Sequence, residues 1–522
     1  MASTVEKKKG FAKFIKGIEV VGNKLPHPFT LFVGLTVIVL ILSYILGKAG
    51  VSVSYLAASK NPGEAPVQTT IAVNNLLSYD GMRPFFEQFV KTYAGFAPLG
   101  LIMVMMIGIA LVEQTGLISA LMRKTILGAP SYMVVGVLAI VGINANLASD
   151  AGMIFTAAIG GALFKALGRN PKVGIVAGFA AASGGFTANF LIAGTDALLA
   201  GITESASKGM GIDAPTHPLI NWYFMIAATI VVTFVTTFVT EKFTVKFLGD
   251  DGGTKDASEL EKHKVTELEL KGLKYAGIVA AVYIGIIILL SVPSGSFLRN
   301  ESDKILPKST LTQGIVPILF FFFVAVGVTY GKIIGVIKSE KDIPKLMQKG
   351  LHGCLSFLVV ALPAAMFIYL FKQSNLTTIL AVNGADFLKA MNIGGIGLII
   401  MFILLSTFIN LFLTSGSAKW LILAPIFVPM FSILNLSPAL TQLAYRIGDS
   451  STNIISPLSY YIPVVIGLMD QYKQEGDEDN GIGTVISLMM PYSIAYLIAF
   501  TALLFVWYLL KLPLGPGTSM FM

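Results

Sequence analysis

Two polar interruptions decide how this chain folds: NANLASDAG at 144–152 and NLFLTSGSAKW at 410–420. Each lies inside an apolar stretch long enough for two half-spans, 131–164 in the first case and 394–436 in the second. Runs rich in Asn, Ser, Asp and Gly sustain a helix poorly and are too polar to face lipid, so the backbone there must line protein or a cavity. The spacing predicts two re-entrant hairpins, each entering and leaving the bilayer on one side.

The rest of the chain supports a membrane setting. Of 522 residues, 55% are hydrophobic and only 13% charged, against roughly a quarter charged in soluble domains. A hydrocarbon core of about 30 Å needs about 20 apolar residues per helix, and runs of that length recur from Phe29 onward. The net charge of +8 is scattered through connecting loops rather than gathered into a basic domain, which argues against nucleic acid as a partner. The single cysteine, Cys354, excludes an internal disulfide and a cysteine-rich metal site. GVTYGK at 327–332 lacks the spacing of a phosphate loop, and His27, His217, His263 and His352 form no HExxH. No GxSxG elbow is present, so an enzyme is not expected.

Lysines at 7–9, 13, 16 and 24 place the N-terminus in the cytoplasm, and the alternation of later positive loops carries the C-terminus outside. The expected class is an all-α membrane protein of about nine spans and two hairpins. Residues 1–28 form a retained, basic cytoplasmic segment, either an amphipathic helix on an anionic membrane surface or a disordered tail. A first half spans 29–240, a charged cytoplasmic connector 241–274, and a second half 275–522.

The halves repeat. INANLASDAG (143–152) laid over INLFLTSGSA (409–418) matches Ile143, Asn144, Leu147 and Ser149 with Ile409, Asn410, Leu413 and Ser415. After each hairpin comes a broken span, and GGFTAN (184–189) lies against GDSSTN (448–453). Because one hairpin opens inside and the other outside, the repeats are inverted, an arrangement that places solute and ion near the midplane.

Broken helices expose carbonyl and N–H groups that can hold a cation or a carboxylate. Asn144, Asn146 and Ser149 at one tip, Thr414, Ser415 and Ser417 at the other, and Asn189 and Asn453 at the breaks add neutral oxygens suited to sodium. The alternative is that these small residues only allow close helix packing. Asp150, Asp196, Arg446 and Asp449 are ionisable groups at membrane depth. Arg446 and Asp449 stand three residues apart on one helix face, where they either neutralise each other structurally or clamp an anionic solute. Trp420 either stacks on an aromatic ring or anchors at the interface. Pro438 and Pro457 bracket the second broken span as kinks or hinge elements.

GFAPLG (95–100), the ASDAG tip, GGFTANFLIAGTDALLAGI (184–202), SAKWLILAPIFVPM (417–430) and YRIGDSSTNIISP (445–457) together resemble the p-aminobenzoyl-glutamate transporter (AbgT) family, over nearly the whole chain. The resemblance implies a homodimeric inner-membrane carrier with nine spans and two hairpins. It implies substrate contacts at Asp196, Ser417, Trp420, Arg446 and Asp449, with Pro438 and Pro457 shaping the site. Members of that family are associated with p-aminobenzoyl-glutamate uptake and with sulfonamide export. Related dicarboxylate carriers have Ser-Asn-Thr at the hairpin tip, where this chain has Ala145, Asn146 and Leu147. A first sodium site would then use Asn146, with Asn189 and Asn453 as further candidate ligands. The expected function is an ion-coupled carrier, driven by sodium or protons with no bound cofactor; a channel is the rival class.

Overall fold

The computed structural model describes residues 26–57, 67–209, 211–306, 309–352, 355–392, 394–473 and 480–522. The basic segment to residue 25, Cys354 and the Asp150 side chain lie outside the described residues. The first helix, α1 (Pro28–Lys48), starts on a proline at its first turn and exposes Val33, Val37, Ile38, Ile41 and Ile45. In water such a face would be costly; against lipid it is the expected surface. A short antiparallel hairpin follows, β1 (Ser52–Ala57) on β2 (Val67–Ala72). Hydropathy did not signal it, because six-residue strands outside the bilayer carry no span pattern.

Next come amphipathic α2 (Tyr79–Ala94), capped by Ser78, and the span α3 (Ala97–Gln114). Gly116, at φ 82°, turns the chain into α4 (Leu117–Leu127). The first hairpin has arms α5 (Val134–Ile143) and α6 (Ser149–Ala166), joined by a tight 3-10 turn over Asn144–Ala148. The broken span is α7 (Pro171–Phe179), running into a π turn at Ala180–Gly184, then α8 (Gly194–Gly209). The half closes with α9 (Trp222–Val239), which continues through a second π turn to Leu248.

After the connector come the spans α10 (Glu267–Leu289) and α11 (Ile315–Ile333), amphipathic α12 (Asp342–Leu351) and the span α13 (Leu355–Gln373). Asn375, at φ 62°, opens α14 (Leu376–Ala390). The second hairpin has arms α15 (Gly395–Asn410) and α16 (Gly416–Ile433). Its broken span is α17 (Pro438–Asn453) and α18 (Ile462–Asp470), followed by α19 (Ile482–Leu509).

Eight helices among the described residues are long and apolar enough to cross a membrane, one of them the hairpin arm α16. The other seven, with the two broken spans, give nine crossings. The repeat is visible in the details. A left-handed residue, Gly116 or Asn375, precedes an oblique helix in each half, and the chain then bends into its hairpin by 116° in one half and 119° in the other. Pro171 and Pro438 each take the first turn of a broken span behind a capping side chain, Asn170 or Ser437. Contacts are exchanged between halves: α11 and α12 pack on α3, as α1 and α2 pack on α13, and α9 packs on its counterpart α19. The broken spans occupy the centre of this frame.

Candidate functional site

Helix α17 is buried at every position from Pro438 to Thr452, yet it carries Thr441, Gln442, Arg446, Asp449, Ser450, Ser451 and Thr452. A polar helix stays at the centre of a membrane protein only if its side chains find partners. Several bond their own backbone: Thr441 Oγ1 donates to the Ser437 carbonyl (3.1 Å), Ser451 Oγ to Ile447 (2.8 Å) and Thr452 Oγ1 to Gly448 (2.8 Å). Gly448 lets α15 approach, since a Cβ there would come within 2.6 Å of the Ile403 carbonyl.

The charges pair across elements. Arg446 Nη2 donates to Asp196 Oδ1 at 2.6 Å, with both side chains at most 3% exposed. Asp196 also accepts from the Ala193 N–H through Oδ2 (2.7 Å), so it serves the N-terminus of α8 and neutralises the guanidinium together. Lys419 Nζ lies 2.5 Å from Asp449 Oδ1 and also donates to Asn410 Oδ1. The expectation that Arg446 and Asp449 neutralise each other is therefore corrected. They share α17, but Arg446 pairs with Asp196 on α8 in the other repeat and Asp449 with Lys419 on the second hairpin.

Asn410 ends α15 and turns its amide into the second break, where its two N–H groups are shared among the Asp449 carbonyl (2.6 Å), Asn453 Oδ1 (2.9 Å) and Thr452 Oγ1 (3.0 Å). Its repeat counterpart Asn144 also reaches its break but with the opposite polarity, its Oδ1 accepting from the Phe190 N–H at 2.9 Å. Thr187, in the first break, donates to the Arg446 carbonyl (2.8 Å) and meets the Ser450 hydroxyl, so the two broken spans touch there.

Trp420 is fully buried, which removes the interfacial-anchor reading. Its indole stacks on Tyr445 at 4.7 Å and 22° and donates to Thr203 Oγ1 at 3.0 Å; Gln442 Nε2 donates to the same oxygen at 2.8 Å. Tyr445 in turn donates to the Gly416 carbonyl (2.5 Å). Ser417 is half-buried in the first turn of α16. Pro438 starts α17 rather than kinking it, and Pro457 is half-buried in the stretch between α17 and α18.

Asn146 Nδ2 donates to the Phe186 carbonyl (3.3 Å), whereas its Oδ1 and both amide atoms of Asn189 are buried without a protein partner. Unpaired buried oxygens of this kind suit a small cation. Asn453, the third candidate, already accepts from Asn410. Among the described residues no cluster of three His, Cys, Asp or Glu side chains suits a metal of the transition series.

Lys419, Tyr445, Gln442 and Thr203 complete the network, and sequence reasoning passed over them. Lys419 meets the criterion that singles out Arg446, a charge at membrane depth, but its place in the polar tip masks it. Thr203 and Gln442 carry no such signal.

The AbgT putative transporter family is matched over residues 13–522. The chain is 35% identical over 519 residues to the p-aminobenzoyl-glutamate transport protein of Escherichia coli (strain K12), covering 99% of this chain and 98% of that one. It is similar in structure to the Alcanivorax borkumensis YdaH transporter, whose crystal structure has an unusual topology: TM-score 0.84, 34% identity, 94% of this chain and 100% of that one. It is also similar to MtrF of Neisseria gonorrhoeae, presented with a class of antimetabolite efflux pumps: TM-score 0.90, 37% identity, 97% of this chain and 100% of that one. These relatives are transporters and efflux pumps rather than enzymes. With a match over nearly its full length and a buried polar centre between two broken spans, this multi-pass membrane protein belongs to the AbgT putative transporter family.

Proposed function

We propose that this transporter is an ion-coupled carrier for p-aminobenzoyl-glutamate or a related folate-pathway aromatic, working through Asp196, Ser417, Trp420, Arg446 and Asp449. The observation that carries the reading is the Arg446–Asp196 pair, 2.6 Å apart where the two broken spans cross. A guanidinium held by an internal carboxylate can exchange that carboxylate for one on a solute, and its planar fork suits such a group. The Trp420–Tyr445 stack beside it offers an aromatic wall for a ring. Likeness to the Escherichia coli protein, named for p-aminobenzoyl-glutamate, supports the solute class.

Export of sulfonamide antimetabolites through the same site is the second reading, favoured by the likeness to MtrF. A channel is the rival class; inverted repeats around a closed centre favour a carrier. Coupling is assigned to sodium or protons, with Asn146 and Asn189 as the sodium ligands whose oxygens are unpaired and Asn453 as a weaker candidate. The protein works as a homodimer in the bacterial inner membrane, N-terminus in the cytoplasm and C-terminus outside.

Proteoliposomes loaded with unlabelled p-aminobenzoyl-glutamate and given labelled solute outside test the carrier: trans-stimulation is expected, and its absence points to a channel. The same vesicles with a labelled sulfonamide, under imposed sodium and then proton gradients, assign direction and coupling ion. Indifference to both gradients overturns the coupled scheme.

A further inference from the structure

The two halves break their symmetry at two facing positions. Extending the ungapped alignment of the tips by one residue sets Met153 against Lys419, and the alignment of the breaks sets Gly185 against Asp449. The first half therefore has neutral residues where the second has an ion pair. The polar atoms around these positions differ in the same sense. In the first half Asn146 Oδ1 and both amide atoms of Asn189 have no protein partner. In the second, Asn410, Asn453 and Asp449 are all engaged, and the donor at the centre is Lys419 Nζ, between Asp449 Oδ1 and Asn410 Oδ1.

An ammonium has donors and no acceptor, so it seeks the same surroundings as an alkali cation: oxygens converging from several elements in a site shielded from water. Lys419 has them. It stands in the first turn of α16 and is 1% exposed. Its two partners come from the other hairpin arm, α15, and from the broken span, α17. That is the junction of hairpin tip and unwound helix at which the first half presents its unpaired oxygens.

We propose that Lys419 is a tethered cation: its ammonium fills, in the second half, the place that a free alkali cation would take between hairpin and broken span. The second half then binds no ion of its own, and Asn453, already engaged by Asn410, is not a sodium ligand. Closure of the second hairpin on α17 is independent of salt, and cation coupling of this kind is confined to the first half. The inference concerns the second half alone; it rests on the ion-coupled reading only for what it says of the first.

The test replaces Lys419 by its repeat counterpart, Lys419→Met, in the full-length purified protein. A second variant, Lys419→Met with Asp449→Asn, removes the negative charge as well. Thermal unfolding is followed in sodium, lithium, potassium and N-methylglucamine chloride at one ionic strength. Lys419→Met should gain an alkali-cation stabilisation absent from the wild type, a rise of roughly 2–5 °C at saturating salt, ordered by ion size and lost in the neutral double variant. A response equal to that of the wild type overturns the proposal. So does failure of Lys419→Met to fold in every salt, because no free cation then replaces the tether, and so does failure of both variants to fold. The wild type's own cation response reports on the first half. If it is flat while Lys419→Met responds, the sodium-coupled reading falls and the tether stands.

Discussion

Breaking the link between the two repeats is the most direct challenge to the site described above. Asp196→Asn removes the negative partner of Arg446 while keeping an oxygen for the Ala193 N–H, so the helix start at α8 is preserved. Arg446 is then a buried guanidinium without a counter-charge. Both side chains are at most 3% exposed, so solvent does not screen the loss, and removal of one partner from such a pair costs about 3–5 kcal/mol. Arg446→Gln should cost a similar amount by stranding Asp196. The double variant leaves two neutral groups able to hydrogen-bond, and its loss should be well below the sum, for a coupling energy of about 3 kcal/mol. Reversible unfolding of the purified protein in mixed micelles of rising denaturing-detergent fraction measures all four corners. Additive losses, with coupling under about 0.5 kcal/mol, would refute a direct pair. The same variants separate solutes. With Asp196→Asn, an anionic solute no longer competes with an internal carboxylate for Arg446, so p-aminobenzoyl-glutamate should bind more tightly while a neutral sulfonamide should not. Equal changes for both solutes would show that Arg446 does not hold the anionic end.

Three further outcomes follow from local geometry. Trp420→Phe keeps the ring against Tyr445 but loses the bond to Thr203, which still accepts from Gln442; a loss of about 1 kcal/mol in unfolding is expected, and a loss as large as for Trp420→Ala would show that the indole N–H matters more than the stack. Gly174→Ala would push a Cβ into the Gly160 carbonyl where α7 packs on α6, destabilising by at least about 1–3 kcal/mol, and a neutral result in the same assay would contradict that packing. His217, between α8 and α9, is pushed down to about 4 by burial, opposed by its bond to the Pro516 carbonyl; its Nδ1 accepts from the Leu219 N–H, which only a neutral ring can do. Between pH 6.5 and 4 the unfolded chain binds a proton that the folded chain refuses, so stability should fall by about 3 kcal/mol as pH drops through that window and level off below it. His217→Gln should flatten this part of the stability profile, and an unchanged slope would remove His217 as its source.

Much of the architecture was legible because lipid imposes rules on sequence. Span length, the polarity of the two tips and the spacing of hairpin and broken helix follow from the requirement that backbone groups at membrane depth be satisfied. The oblique helices α4 and α14 were not legible, since eleven and fifteen residues fall short of a span and their direction depends on the left-handed turns at Gly116 and Asn375. Within the site, type and depth of charge pointed to Asp196, Arg446 and Asp449, but pairing did not follow from spacing. Residues three apart on a helix are neighbours only if nothing better is in reach. Here Arg446 pairs instead with Asp196, 250 positions away in sequence.

The asymmetry of the broken spans explains where the charges went. Helix α7 is buried at every position but Lys172 and carries Gly174 and Gly178, each so close to α6 that a Cβ would meet the backbone of Gly160 or Thr156. A helix packed backbone to backbone on its hairpin arm has no room for long side chains on that face. Helix α17 is buried from Pro438 to Thr452, but its hairpin also reaches it through Asn410, Gly416 and Lys419, which meet Tyr445 and Asp449. The repeats thus share a path through the membrane and a glycine contact with a hairpin arm, at Gly174 and Gly178 in one and at Gly448 in the other, while the ion-paired network is added in the second alone. The long side chains of α17 also reach the other repeat, where Arg446 meets Asp196 of the first half.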